Sequence, residues 1–261
     1  MTVAIEVINA AAADLWAAQR NRVPIAPLTE TFPGLDVTGA YAVQQLNLRR
    51  RLDEGRALVG RKIGLTSEPM QTLLGVDEPD YGYILDDMVI TAGAVEASRF
   101  CAPRVEPEIA FLLNRSLCGP NVSVAQVLAA TEAVAVALEV VDSRIADWKL
   151  TLPDTVADNA SSAAVVLGDW VPYTDALSLP DCLATLVLND EQIDIGTGAA
   201  VMGDPAAAVA WLANALADYD TELAGGQFVM SGSFTSAAFV HAGDSATATI
   251  SGLGSVSLTL T

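Results

Sequence analysis

Three glutamates sit inside otherwise apolar, strand-like runs: Glu106 and Glu108 in VEPEIAFLL, and Glu139 in VAVALEVV. A carboxylate buried in hydrocarbon needs a hydrogen-bond partner, a counter-charge or a metal. On a strand, side chains at i and i+2 share a face and stand roughly 6.6 Å apart along it. Glu106 and Glu108 can therefore converge on one ion, with Glu139 arriving from a neighbouring strand. All-oxygen ligation of this kind suits Mg2+ or Mn2+ rather than zinc, which prefers His and Cys. Glutamates merely protonated or hydrogen-bonded in place are the alternative; an E-x-E pair joined by a third buried glutamate favours the metal.

Proton transfer has few other candidates. His241, the only histidine, lies in FVHAGD at an expected strand end and turn, without a glycine elbow or an obvious partner. General acid and base work then falls to carboxylates, Lys, Tyr or metal-bound water. Lys62 and Lys149 are the only lysines. Lys62, in VGRKIGLTS, occupies an expected strand that runs into a turn and a helix start, and a buried lysine shifts its pKa readily. The segments GVDEPDYGYILDDMV, with Asp86 and Asp87, and DTVADNASS, with Asp158, Asn159, Ser161 and Ser162, read equally as turns, because Asp, Asn and Ser bond to their own backbone. Glycines in GQFVMSGSFTS, which also holds Ser233, allow backbone amides to approach a carboxylate or form a bulge.

The elements that must position these groups are legible in outline. Residues 1–55 read as a helical region: an Ala-rich segment, a proline-containing link at Val23 to Pro27, and a helix over Asp36 to Glu54 with Arg49 to Arg51 near its C-terminal end. Residues 56–261 read as a mixed-β catalytic domain. Its strand-like runs are ALVGRKIG, EIAFLL, AVALEVV, AAVVLG, LATLVLN, QFVM, ATATI and VSLTL. Helix starts are marked by Ser67 with Pro69, by a Ser123/Gln126 capping box and by Asp204 before Pro205. Long helices do not alternate regularly with the strands, which disfavours a doubly wound sheet. The fold class is α+β.

With 52% hydrophobic residues in 261, the chain is globular. The opening lacks the pattern of a signal peptide and no run of 18 apolar residues occurs, so a cytoplasmic protein without a membrane partner is expected. Cys101, Cys118 and Cys182 are odd in number and widely spaced, which suggests buried small hydrophobes rather than disulfides. The net charge is −19, and no Lys or Arg follows Lys149 although thirteen Asp and Glu do. Such a surface repels phosphate backbones, so no nucleic-acid partner is expected, and an anionic substrate needs a local basic group.

Taken together, GRKIGLTS, LGVDEPDYG followed by DDM, PRVEPEIAF, ALEVVDSRIADW, DTVADNASS and GLGSVS resemble the 2-oxopent-4-enoate hydratase and 4-oxalocrotonate decarboxylase family, relatives of the fumarylacetoacetate hydrolases. The resemblance runs in order from about Tyr41 to the end. It implies a C-terminal mixed-β fold of the fumarylacetoacetate hydrolase type behind a small helical N-terminal region, and Mg2+ or Mn2+ held by Glu106, Glu108 and Glu139. It implies catalytic roles for Lys62, Asp87 and Ser161, with Asn159, Ser162 and Ser233 binding substrate. The expected activity is hydration of a 2-hydroxy-2,4-dienoate to a 4-hydroxy-2-oxo acid in meta-cleavage catabolism. The expected assembly is a homo-oligomer that associates with other pathway enzymes. Decarboxylation of 4-oxalocrotonate, hydration of a 2-oxohept-enedioate and a non-catalytic partner subunit are the alternatives. Where relatives commonly read Gly-His-Pro or Asn-His-Pro before the late helix, this chain has Gly203, Asp204 and Pro205, so that histidine's role does not transfer. The segment between Asp147 and Asp154 lacks an insertion typical of the diacid enzymes, which points to a smaller or monoanionic substrate.

Overall fold

The computed structural model describes residues 3–91 and 93–261. The Ala-rich opening forms α1 (Ile5–Asn21), a single turn α2 (Leu28–Thr31) follows, and α3 (Val37–Asp53) starts where the Asp36 side chain accepts from Gly39 N–H. Gly55, at φ 88°, takes the left-handed conformation that ends the helical stretch. Ala11, Leu15, Ala40 and Val43 of these helices share one continuous core with the strands that follow.

Next come β1 (Leu58–Gly64), α4 (Glu68–Leu74), β2 (Asp80–Leu85), β3 (Ala94–Val95), β4 (Arg104–Leu113), α5 (Val124–Ala130), β5 (Thr131–Val141), α6 (Leu152–Ala157) and β6 (Ser162–Leu167). The remainder is β7 (Val171–Pro172), β8 (Leu183–Leu188), β9 (Glu191–Thr197), α7 (Pro205–Ala217), β10 (Phe228–Met230), β11 (Ala238–Phe239), β12 (Ser245–Ile250) and β13 (Gly254–Leu260). The expected capping box at Ser123 and Gln126 forms, and Asp204 accepts from Ala206 N–H as the N-cap of α7. That bond is a sufficient physical reason for aspartate at position 204.

One sheet runs β2-β1-β10-β4-β5-β6, with β11 added to β4 and β7 to β5; a second runs β3-β13-β12-β8-β9. The larger sheet curls until its edges approach, with β2 in contact with β6 and Val89 bridging to Val165. Period-two alternation then divides its residues between two environments. Ile63, Tyr81, Ile109, Phe111, Leu138 and Val140 face outward into the main core. Ile84, Ala110, Ala137, Val165, Phe228 and Met230 point inward and pack together. The inward set is apolar at one end of the curl, and the same faces carry Lys62, Asp80, Glu106, Glu108 and Glu139 at the other.

Two expectations need correction. The GVDEPDYGYILDDMV segment is not all turn: Asp80–Leu85 is a fully buried strand, because Tyr81 and Tyr83 alternate outward while Asp80 and Gly82 face into the curl. Cys118 is exposed rather than a buried hydrophobe, whereas Cys182 is buried. The helical stretch Gly198–Ala217, which contains α7, is long and apolar enough by composition to cross a membrane, but it is half buried inside the fold.

Candidate active site

Antiparallel register places Glu106 directly opposite Glu139, with Glu108 two residues further along the same face. One carboxylate oxygen from each lies within 4.8 Å of the others. Glu139 is fully buried, and neither of its oxygens has a hydrogen-bond partner. Glu108 accepts from Gly232 N–H at 2.8 Å, so the GQFVMSGSFTS glycines do bring a backbone amide to a carboxylate, but to the protein's own. A Cβ on Gly232, which has φ 107°, would collide with Thr66. Glu108 and Glu139 are buried and Glu106 is half-buried, and three carboxylates this close are unstable as anions. Burial first and Glu139 second push Glu106 up to about 7, and the same two causes hold Glu108 well above the usual carboxylate range.

Lys62 projects from β1 into this cluster. Its ammonium lies 3.5 Å from Glu139 Oε2 and donates to the Ala160 carbonyl at 3.1 Å. Burial alone would lower its pKa, but Glu139, Asp80, Glu108 and Glu106 outweigh that effect and keep it charged. Asp80 completes the arrangement. A Cβ at Gly64 would collide with Asp80 Oδ1 and approach Lys62 Nζ to 3.1 Å, so the aspartate and the lysine share the space that this glycine leaves. Asp80 is buried with Oδ1 unpartnered, and burial raises its pKa while Lys62 opposes the rise. Thr155 Oγ1 bonds Asp80 Oδ2 at 3.4 Å and stands 3.5 Å from Ser161 Oγ, which links Ser161 to the cluster.

The remaining candidates have partners outside the glutamate cluster. Asp87 lies past the end of β2, at least roughly 10 Å of strand beyond the Gly82 that faces Lys62. There it pairs with Arg51 and Arg56. Besides Glu139, the carboxylate that shares the Lys62 end of the curl is Asp80, which sequence reasoning missed. Asn159 uses its side chain as a strand mimic, accepting from Tyr83 N–H at 2.8 Å and donating to the Tyr83 carbonyl at 3.0 Å. Its role is to tie the left-handed turn Asn159, Ala160 and Ser161 to β2, and so to aim the Ala160 carbonyl at Lys62. Ser162 is buried, and its carbonyl accepts from Arg144. Ser233 Oγ donates to the Thr235 carbonyl within its own turn. Asp158 serves the buried Arg144 rather than the cluster. His241 is exposed beside Asp244, in keeping with a turn residue.

Residues 45–261 match the family model described as fumarylacetoacetate (FAA) hydrolase C-terminal. The chain belongs to the FAA hydrolase family. It is 43% identical over 247 residues to the 2-keto-4-pentenoate hydratase of Paraburkholderia xenovorans strain LB400, covering 94% of this chain and 92% of that one. It is 42% identical to the 2-hydroxyhexa-2,4-dienoate hydratase of Comamonas testosteroni, covering 95% of each. Among solved structures, the 4-oxalocrotonate decarboxylase of Pseudomonas putida G7, complexed with magnesium and adipate, superposes with a TM-score of 0.96 at 35% identity, over 100% of this chain and 99% of that one. Within the FAA hydrolase fold of this chain, the orphaned oxygens of Glu139 and the mutual repulsion of three glutamates fit a hard divalent cation.

That repulsion has a measurable signature. In metal-free protein the folded state holds a proton on Glu106 up to about pH 7, against an ordinary value of 4.5. A raised carboxyl contributes stability below its unfolded pKa and loses it as pH rises through the folded one. The melting temperature of chelator-treated protein should therefore fall between about pH 4.5 and pH 7, and the gain on adding Mg2+ should grow over that window. Differential scanning fluorimetry of wild type and Glu106→Gln checks this, because the global negative charge and the raised Glu108 act on both, and wild type should show the steeper fall.

Proposed function

We propose that the chain is a metal-dependent hydro-lyase that adds water to a short 2-hydroxy-2,4-dienoate, giving a 4-hydroxy-2-oxo acid. The observation that carries this reading is that a chain 42–43% identical to hydratases along nearly its whole length assembles Glu106, Glu108, Glu139, Lys62 and Asp80 in one buried cluster. Mg2+ or Mn2+ would be held by the three glutamates and would supply Lewis acidity for the developing enolate charge.

Hydration requires proton movements on both sides of the new bond. A proton leaves the 2-hydroxyl and one reaches C5, giving an αβ-unsaturated ketone; water then adds at C4 and a proton arrives at C3. Lys62 Nζ is the one ammonium among the described cluster residues and is fixed by Ala160, which positions it to exchange these protons with Asp80 as its neighbour. Ser161 is available to orient substrate or water. Ile84, Ala110, Ala137, Val165, Phe228 and Met230 form a hydrocarbon wall beyond the charged end. Such a wall suits the unsaturated tail of a monoacid and would leave a second carboxylate unsolvated.

Decarboxylation of 4-oxalocrotonate is the second reading, favoured by the near-complete superposition on that decarboxylase. Supplied with Mg2+, the protein should consume 2-hydroxypenta-2,4-dienoate with a higher specificity constant than it releases CO2 from 4-oxalocrotonate. The reverse order would overturn the choice. We read the protein as a cytoplasmic homo-oligomer, a reading supported by Ile193 and Ile195, large apolar residues exposed on the edge strand β9. Association with other enzymes of the meta-cleavage pathway belongs to the same proposal.

A further inference from the structure

Arg104 opens β4 two residues before Glu106, and strand alternation gives the two the same face. Its guanidinium is clamped between two aromatic rings, with Cζ 4.2 Å from the centroid of Trp148 and 4.1 Å from that of Phe239. Both rings are deliberately placed. Phe239 is the ladder partner directly opposite Arg104 on β11, and its ring is 48% exposed. Trp148 is reached through two successive left-handed residues, Asp147 at φ 58° and Trp148 itself at φ 55°, a conformation that bulky side chains rarely adopt. A hydrogen bond of 3.1 Å from Trp148 Nε1 to the Ala102 carbonyl then holds the ring over the arginine.

Both rings stack on the guanidinium through its π-face, so it is the N–H edge that is left to bind a ligand. That edge has no use inside the protein: among the described residues Arg104 forms no ion pair, and its Nε is buried without a partner. A planar, pre-oriented pair of donors is the geometry that recognises a carboxylate. The other cation here, Lys62, is already engaged by Glu139. In a chain with a net charge of −19, an anion reaching the glutamate cluster needs such a local attraction.

We infer that Arg104, held by Trp148 and Phe239, is the receptor for the carboxylate of the 2-oxo or 2-hydroxy acid substrate at the entrance to the cluster. The inference rests on the functional reading above, and the hydrocarbon wall at the inner end is the reason that the carboxylate adjacent to the 2-oxygen, rather than a distal one, falls to Arg104.

Calorimetric titration of Mn2+-loaded protein with pyruvate and with 2-oxoadipate tests it, alongside Mn2+ affinity measured by electron paramagnetic resonance. Arg104→Gln should weaken both acids by about tenfold or more, the scale of a lost charge-assisted pair, and leave Mn2+ affinity within about threefold. Arg104→Lys keeps the charge without the planar fork, should weaken both acids to a smaller extent, and serves if the glutamine variant does not fold. Unchanged affinity for pyruvate in a variant that binds Mn2+ would overturn the inference. So would weakening confined to 2-oxoadipate, which would make Arg104 a reader of a distal carboxylate. Wild-type protein that binds Mn2+ but neither acid would overturn the functional reading itself, and this inference with it.

Discussion

Replacing Glu139 by glutamine should weaken Mn2+ binding by about 10² or more and abolish turnover with it. Glu139 is fully buried, both its oxygens lack hydrogen-bond donors, and it faces Glu106 across the ladder with Lys62 at 3.5 Å. Two unit charges 4 Å apart interact by about 4 kcal/mol at an effective dielectric near 20, so deleting one carboxylate charge from the ligand set costs the cation several kcal/mol. Glutamine keeps the shape of the side chain, and in metal-free protein it relieves the repulsion that raises Glu106 and Glu108. The chelator-treated variant should therefore melt no lower than chelator-treated wild type. Mn2+ titration followed by electron paramagnetic resonance reads the loss directly. Wild-type Mn2+ affinity in a folded Glu139→Gln protein would remove the glutamate cluster from consideration as the metal centre.

The three glutamates were legible because an isolated acid in an apolar run with a period of two leaves few physical explanations, and the register Glu106 opposite Glu139 satisfies the strictest of them. The eight apolar runs read as strands all form strands, since each buries at least one face. Asp80 escaped notice for the converse reason. It sits in DEPDYG, whose Asp, Pro and Gly content reads as turn, and its strand is revealed only by Tyr81 and Tyr83 alternating outward, the one signal that could have found it. Asp87 enters through the family resemblance and not through its spacing, whereas nearness to Lys62 depends on the pairing of β1 with β2. Asn159 shows a related limit. Its type suited either ligand or turn, and the two bonds that it makes to the Tyr83 backbone join residues 76 apart in the chain. The aromatic clamp on Arg104 likewise unites three distant segments, and no spacing along the chain announces it.

Lys62→Met should leave Mn2+ binding and the fold in place while reducing turnover by about 10² or more, the usual scale for removing a general acid–base group. Lys62 is 3% exposed, and its Nζ is held between the Ala160 carbonyl and Glu139, so its position is set by the protein and does not wait for substrate. Methionine preserves much of the buried stem volume. What it removes is a charge that partly offsets Glu106, Glu108, Glu139 and Asp80, so the variant is best prepared with Mg2+ present, where the cation takes over that compensation. Lys62→Arg should not restore the rate, because a guanidinium keeps its proton near neutral pH even when its charge is retained. The comparison separates proton transfer from electrostatics: if Lys62 only offsets negative charge, arginine will rescue turnover and methionine will also disturb Mn2+ affinity. Steady-state rates on 2-hydroxypenta-2,4-dienoate with parallel Mn2+ titration supply both readouts. Wild-type turnover in Lys62→Met would return the residue to the status of a buried counter-ion and shift the proton-transfer role to Asp80.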